Sequence, residues 1–111
     1  RKGEVFVMAE VLFDRAQVEL INNNKVRAIY DFAYGEYLAQ QNFFDELSRV
    51  QTQLIHNGTV TLNTGEEVDL NTLGGTMGLQ IYMETLDSTK ESMSGLAKLG
   101  LKNENKLWTM Q

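Results

Sequence analysis

Hydrophobic positions recur at alternating steps of four and three residues over much of the first half of the chain. This spacing is typical of the seam of a helix that packs along another helix. Between residues 4 and 56 there is no proline and only one glycine, Gly35, so the backbone can stay helical. The pattern predicts a long helix over residues 5–56, whose seam is covered by a second helix or by a partner chain. The positions of this heptad seam are Val26, Tyr30, Ala33, Tyr37, Gln40, Phe44, Leu47, Gln51 and Leu54.

Two asparagine-containing segments bear on the extent of this helix. Three consecutive asparagines occupy residues 22–24, and their side chains compete with the helix for backbone hydrogen bonds. The helix is therefore expected either to continue through residues 22–24 or to break there. Asn57 and Gly58 form a pair suited to the left-handed conformation that follows a last helical turn. We expect the helix to end at this pair.

The aromatic side chains of the same helix are distributed over more of its circumference than one face provides. A girdle this wide predicts contacts on more than one side of the helix, as in a bundle or an assembled polymer. The aromatic residues of this girdle are Tyr30, Phe32, Tyr34, Tyr37, Phe43 and Phe44.

A change of period follows the long helix. Apolar residues alternate with polar ones on both sides of a glycine-containing turn at residues 63–66, which predicts a β-hairpin over residues 59–70. An isolated two-stranded hairpin is marginally stable in water, so we expect this hairpin to lie against the helices. The alternating apolar residues are Val60, Leu62, Val68 and Leu70.

A second helix is predicted over residues 76–99. Three glycines at residues 74, 75 and 78 predict a flexible elbow before it, with Thr76 as its N-cap and Gly100 as its stop. Residues 103–111 form a short terminal segment that carries Leu107, Trp108 and Met110. The stripe of this second helix has one charged member, Lys90, and its apolar members are Leu79, Met83, Leu86, Met93 and Ala97.

These elements predict one mainly α domain, or a fragment of one, over residues 1–111. Its architecture is a long helical hairpin or coiled-coil bundle with a small β-hairpin insertion. Acidic residues outnumber basic ones by 15 to 10 and the net charge is −5, which excludes nucleic acid as the expected partner. Glu4, Glu10 and Asp14 interrupt the most apolar segment, so no membrane span is expected.

The residues that carry chemistry predict no enzyme. The chain has no cysteine and a single histidine, His56, which rules out thiolate nucleophiles, catalytic triads and multi-histidine metal sites. The carboxylate pairs at residues 45–46 and 66–67 are expected on solvated surface. Residues 74–78 lack the lysine of a phosphate-binding loop, so we expect them to form a flexible turn. We expect no catalytic, metal-binding or cofactor-binding residue.

Several runs of sequence carry a resemblance to a known family. They are the run from Val18 to Val26, the alanine- and glutamine-rich helix through residues 39–42 and 45–47, the short β-prone segment and the further helix. In pattern and order they resemble the EspA/SseB-like subunits of type III secretion needle-extension filaments. The resemblance implies a secreted bacterial subunit that polymerises through coiled-coil helices and is held by a dedicated chaperone before export. The chain departs from the family where Lys90 and nearby serines and glycines predict a shortened second helix.

The expected function is that of a non-enzymatic helical assembly protein, a secretion-associated bacterial subunit that self-assembles through coiled-coil contacts. The alternative is an adaptor or chaperone that binds a partner helix in an apolar groove. The partner is therefore a second copy or another helical protein. The expected location is the bacterial surface or the medium, with the cytoplasm as the alternative. The residues expected to make the contacts are Val26, Tyr30, Ala33, Tyr37, Phe44, Leu47, Leu54, Leu79, Met83 and Leu86.

Overall fold

A computed structural model describes residues 5–109, with side chains described as far as residue 102. This part of the chain forms a rod of 60 × 21 × 18 Å. It confirms the predicted fold class, a mainly α chain with a small β-hairpin between helices. The elements in chain order are α1 (Val7–Ile21), α2 (Lys25–Asn57), β1 (Thr59–Thr61), β2 (Glu67–Asp69) and α3 (Leu73–Thr109).

The asparagine segment separates α1 from α2, so the broken form of the first helix is the observed one. Asn23 has a φ of 63°, in the left-handed region that asparagine tolerates better than most residues. The backbone N–H of Asn24 donates to the carbonyl of Glu19 at 2.8 Å, which closes the turn. The chain reverses there, and α1 packs antiparallel against α2.

The α1–α2 contact depends on a glycine. The ring of Phe13 packs on Phe32 with 6.3 Å between the ring centroids. A Cβ at Gly35 would lie 2.9 Å from Cε1 of Phe13, a distance at which one of the two would have to move. Gly35 therefore allows the Phe13 ring to reach the surface of α2.

The third helix packs antiparallel to α2 and is longer than the sequence predicted. It runs for 37 residues without a break, so the predicted stop at Gly100 and the separate segment over residues 103–111 are wrong. A Cβ at Gly100 would lie 2.8 Å from the ring of Phe32, so this glycine makes room for a packed ring. The side chains of Leu107 and Trp108 are not among those that the structure describes, and Met110 lies outside the described residues.

The start of α3 also differs from its prediction. The hydroxyl of Thr72 accepts a hydrogen bond from the backbone N–H of Gly75 at 3.0 Å, so Thr72 rather than Thr76 caps the helix. A Cβ at Gly75 would lie 1.9 Å from the carbonyl oxygen of Asp69. The glycines at 74, 75 and 78 are helical, and the predicted flexible elbow is wrong because the first turn packs directly on the strand that precedes it.

The β-hairpin lies against the helices, as predicted. Val60 pairs with Val68 in antiparallel register, and both side chains are buried together with Leu62 and Val50. Leu54, Leu79 and Met83 pack against this group. Gly58 has a φ of 70° and ends α2 in the left-handed conformation that was predicted. A second apolar cluster lies between the helices and contains Phe6, Ala9, Phe13, Ala16, Phe32, Ala39, Leu86 and Ala97.

The face that α2 turns towards the bundle is not the predicted one. Its buried residues are Ala28, Asp31, Phe32, Gly35, Ala39, Glu46 and Val50. In the seam, Val26 is 72% exposed, Tyr30 62%, Tyr37 55% and Phe44 63%, and Ala33 is also exposed. The seam was predicted to be covered by a second helix or by a partner chain, and no described helix of the same chain covers these five residues. Alanine and glycine let α1 approach the opposite face closely, which large rings at the seam would prevent.

The remaining predicted contact residues lie at or near the core. Leu47 and Leu54 of α2 and Leu79 and Met83 of α3 are partly buried, and Leu86 is buried. The stripe predicted for α3 thus faces the bundle. The charged member of that stripe, Lys90, places its ammonium 4.3 Å from the centroid of the Phe43 ring and 2.9 Å from Asp87, so the charge is paired at the edge of the core.

The two glycines in the second half of α3 should respond oppositely to replacement by alanine. Gly100→Ala should destabilise the fold by about 1–3 kcal/mol because the new methyl group collides with the Phe32 ring. A Cβ at Gly95 would meet no described heavy atom within 4 Å, so Gly95→Ala should stabilise by up to about 1 kcal/mol through helix propensity. Urea unfolding measures both. Stabilisation by both substitutions would contradict the Phe32–Gly100 contact.

Candidate functional site

The candidate site is the exposed face of α2, which we call the aromatic stripe. Three tyrosines form its centre. The rings of Tyr30 and Tyr34 have centroids 5.8 Å apart, and Tyr34 stacks on Tyr37 at 6.1 Å with an interplanar angle of 13°. The rings thus contact each other on the outside of the molecule. The stripe consists of Val26, Tyr30, Ala33, Tyr34, Tyr37 and Phe44.

The aromatic stripe lies opposite the packed face of α2. Successive residues of an α-helix are rotated by about 100°, which puts Tyr30, Tyr37 and Phe44 roughly half a turn from the buried line of Phe32 and Ala39. Neither α1 nor α3 can reach the stripe without leaving the core. A contiguous apolar surface of this kind is typical of a site that binds another macromolecule.

The spacing of the stripe suits a helical partner. Tyr30, Tyr37 and Phe44 follow each other at heptad spacing, and Val26 and Ala33 form a second row beside them. Two such rows are what coiled-coil packing requires, because each side chain enters a gap between side chains of the facing helix. Tyrosine rings can bury their apolar body there and leave the hydroxyl at the wet edge.

A buried ion cluster fixes the amino-terminal end of the stripe. The guanidinium of Arg15 donates two hydrogen bonds of 2.8 Å to Asp31, whose side chain is fully buried. These bonds hold the pKa of Asp31 below its ordinary value. Asp31 directly follows Tyr30, so the cluster holds the backbone from which that ring projects.

Glu19 belongs to the same cluster but is less well satisfied. Its carboxylate is 7% exposed and lies 3.6 Å from Arg15 and 3.7 Å from Arg27. Neither of its oxygens has a hydrogen-bond partner among the described residues. Burial raises the pKa of Glu19, and the neighbouring Asp31 raises it further. The two carboxylates therefore have pKa values displaced in opposite directions, with Arg15 bound closely to only one of them.

A second polar cluster joins α2, α3 and the hairpin. Glu46 accepts hydrogen bonds of 2.6 and 2.8 Å from Arg49 and one from the hydroxyl of Tyr82, while the backbone N–H of Asn63 donates to that hydroxyl at 3.4 Å. Glu46 is buried, so the expectation of a solvated carboxylate is wrong for this residue. Asp45 beside it is exposed.

The pKa values of this second cluster follow from its contacts. Burial alone would raise the pKa of Glu46, but the hydrogen bonds from Arg49 and Tyr82 outweigh it and leave the pKa below its ordinary value. Burial, together with the bond to Glu46, raises the pKa of Tyr82 to about 12. Glu46, Arg49 and Tyr82 thus satisfy one another's hydrogen bonds.

Two further findings bear on the function classes. Among the described residues no group of histidine, cysteine, aspartate or glutamate side chains could hold a metal ion. No helix in that part of the chain is long and apolar enough to cross a membrane. His56 is exposed in the last turn of α2.

Comparison with known proteins gives no match. No protein-family model, no curated protein and no solved structure is significantly similar to this chain. The function therefore has to be argued from the arrangement of residues.

The structure brings only part of the predicted contact set together. Val26, Tyr30, Ala33, Tyr37 and Phe44 share the exposed face, whereas the other five members of the set lie towards the bundle. The predicted set lacked Tyr34, although its spacing from the tyrosines on either side places it on the same face. The buried ion pairs could not be found from spacing, because the partners of Arg15 and Tyr82 are 16 and 36 residues away.

Tyr82→Phe should destabilise the fold by about 1–3 kcal/mol, because a buried carboxylate loses one of its donors. Tyr34→Phe is the control, since Tyr34 is an exposed member of the stripe and its replacement should leave the free energy of unfolding unchanged. Urea unfolding followed by circular dichroism compares the two variants. Equal stabilities would show that the bond between Tyr82 and Glu46 contributes nothing.

The second cluster should also give the fold a two-sided pH dependence. The pKa of Glu46 in the folded state lies below its ordinary value of 4.5, so its contribution is present above that pH and lost as the pH falls through the lowered pKa. The pKa of Tyr82 rises from 10.0 to about 12, so its contribution is complete below pH 10 and lost as the pH rises towards 12.

Urea unfolding at a series of pH values measures this dependence. Glu46→Gln should flatten the acid side of the profile and Tyr82→Phe the alkaline side. Profiles that keep their wild-type slopes in both variants would contradict the assignment.

Proposed function

We propose that this protein is a non-enzymatic helical assembly protein that associates through the aromatic stripe of α2. The observation that carries the proposal is the row of exposed rings at heptad spacing, Tyr30, Tyr37 and Phe44, on a helix whose opposite face is already buried. The two apolar clusters that the described residues form do not include these rings. The rings are therefore free to contact another molecule.

The shape of the stripe favours assembly over the alternative function. An adaptor or chaperone that holds a foreign helix needs an apolar groove between elements. The aromatic stripe is a ridge on a single helix, with α1 and α3 on the far side. A ridge fits between the side chains of another helix, which is the contact that a coiled-coil subunit makes with its neighbour.

The proposal extends to a secretion-associated bacterial subunit, located at the bacterial surface or in the medium. Its support is the sequence resemblance to needle-extension filament subunits, together with the order of elements: a long helix, a short β segment and a further long helix. The proposed partners are further copies of the chain. Before export, a dedicated chaperone would cover the same stripe and keep the subunits apart.

A charged side chain within the stripe should abolish association without unfolding the chain. Phe44→Glu introduces a carboxylate that would be buried without a partner in the assembled form, whereas in the separate chain it faces water. Light scattering should report the mass of a single chain for this variant and a larger mass for the wild type. Circular dichroism should be unchanged, and thermal unfolding should match that of the wild type at dilutions at which the wild type is also a single chain.

Ile81→Glu provides a matched control. Ile81 of α3 is 62% exposed, against 63% for Phe44, but lies outside the stripe, so its replacement should leave the larger mass intact. A wild-type protein that remains a single chain at all concentrations would contradict self-assembly. A stoichiometric complex with another protein, without larger species, would instead favour the adaptor function.

A further inference from the structure

We propose that the stripe binds the same stripe of a second copy, with the two α2 helices antiparallel and Tyr37 of each copy packed on Ala33 of the other. This inference rests on the proposed function and goes beyond it, because it names the occupant, the orientation and the register. Three observations support it. They concern the sizes of the side chains, the charges beside them and the position of the rest of the bundle.

The first observation is a match of sizes. The stripe has one row of large side chains, Tyr30, Tyr37 and Phe44, at heptad spacing. Its smaller side chains, Val26 and Ala33, form a second row, which Gln40 beside the stripe continues at the same spacing. When a second copy runs in the opposite direction, its small row falls opposite the large row. Phe44 then meets Val26 of the second copy, Tyr37 meets Ala33, and Tyr30 meets Gln40.

The parallel arrangement packs less well. In a parallel pair without axial shift, each residue would lie opposite the same residue of the other copy. Three layers of the contact would then hold two large rings each, and the layers between them would hold two small side chains each. Crowded layers force side chains off their preferred rotamers, and the small layers leave gaps. Alternation of large with small side chains across the contact avoids both problems.

The second observation is a match of charges on one edge of the stripe. Arg27 and Asp45 are both exposed, and they are five helical turns of about 3.6 residues apart, so they lie on the same line along α2. In the antiparallel arrangement, Arg27 of each copy lies within one turn of Asp45 of the other. A parallel pair would place Arg27 of the two copies on opposite edges of the contact, so neither would meet Asp45 of the other copy.

This ion pair would add to a contact that Arg27 already makes. The guanidinium lies 3.7 Å from Glu19 within its own chain, and its five N–H donors allow a second carboxylate to bind. Exposed pairs contribute little energy, but they favour the antiparallel orientation because only that orientation forms them.

The third observation is that the packing of α1 and α3 leaves room for a second copy at the stripe. Phe13 of α1 and Gly100 of α3 both pack at Phe32, on the far side of α2. A helix laid on the stripe therefore lies away from this packing, and Arg15 of α1 borders only the amino-terminal end of the stripe, beside Val26 and Tyr30. The contact from Val26 to Phe44 would extend over roughly 27 Å, and Tyr34 of the two copies would meet near its centre.

The orientation can be measured with spin labels because the chain has no cysteine. Ser48→Cys and Thr52→Cys each place one label on the exposed side of α2 beyond the stripe. Pulsed electron resonance on each labelled protein gives the distance between the two copies. The antiparallel register predicts roughly 39 Å for residue 48 and 51 Å for residue 52, so the distance must grow along the helix.

A parallel pair would give a short distance, about 10–20 Å, at both positions. That result would overturn this inference and leave self-assembly through the stripe intact. If no distance between copies is detected at protein concentrations from roughly 10 μM to 1 mM, both this inference and self-assembly through the stripe are overturned. A large assembly that survives Phe44→Glu would show that the stripe is not the contact, and it would overturn both proposals as well.

Charge reversal tests the register independently. Asp45→Arg should weaken the dimer about five- to tenfold, because two like-charged pairs replace two opposite ones. The double variant Arg27→Asp with Asp45→Arg should return the affinity to near the wild-type value. Failure of the double variant to recover, in a protein whose circular dichroism is unchanged, would contradict the pairing of these two residues.

Discussion

The structure depends on how closely α1 and α3 approach one face of α2. Phe13 reaches α2 only because Gly35 has no side chain, and Phe32 has room only because of Gly100. Alanines at 28 and 39 complete the same surface. Since α1 and α3 pack on this face, the rings of Tyr30, Tyr37 and Phe44 are left exposed on the other side. The exposed aromatic stripe is thus a consequence of the way the core is built.

Two buried ion clusters determine how the elements align on that face. Arg15 with Asp31 ties α1 to α2, and Glu46 with Arg49 and Tyr82 ties α2 to α3 and the hairpin. Buried ion pairs add little net stability, because removing charges from water costs nearly as much as their attraction returns. Their geometry is demanding, however, and a sliding of one helix along another would break them. We infer that they fix the register of the helices.

Much of the fold could be predicted from the sequence, because local patterns determine it. Alternation predicted the hairpin, and the asparagine–glycine pair predicted the end of α2. The glycines at 75 and 100 were misread because the same residue serves a flexible turn and a close packing contact, and only the neighbour distinguishes them. The heptad seam contains most of the residues of the aromatic stripe. Spacing cannot say which apolar face of a helix its own chain will cover, so the sequence left open whether a second helix or a partner chain covers the seam.

The break at Asn23 has a consequence for the order in which the chain folds. It brings together residues that are close in sequence, since Arg15 and Asp31 are 16 positions apart, whereas Glu36 and Ser94 are 58 apart. Closing a short loop loses less chain entropy than closing a long one. The first helical hairpin can therefore form early and offer a template on which α3 docks late, so that the aromatic surface is exposed before the molecule is complete.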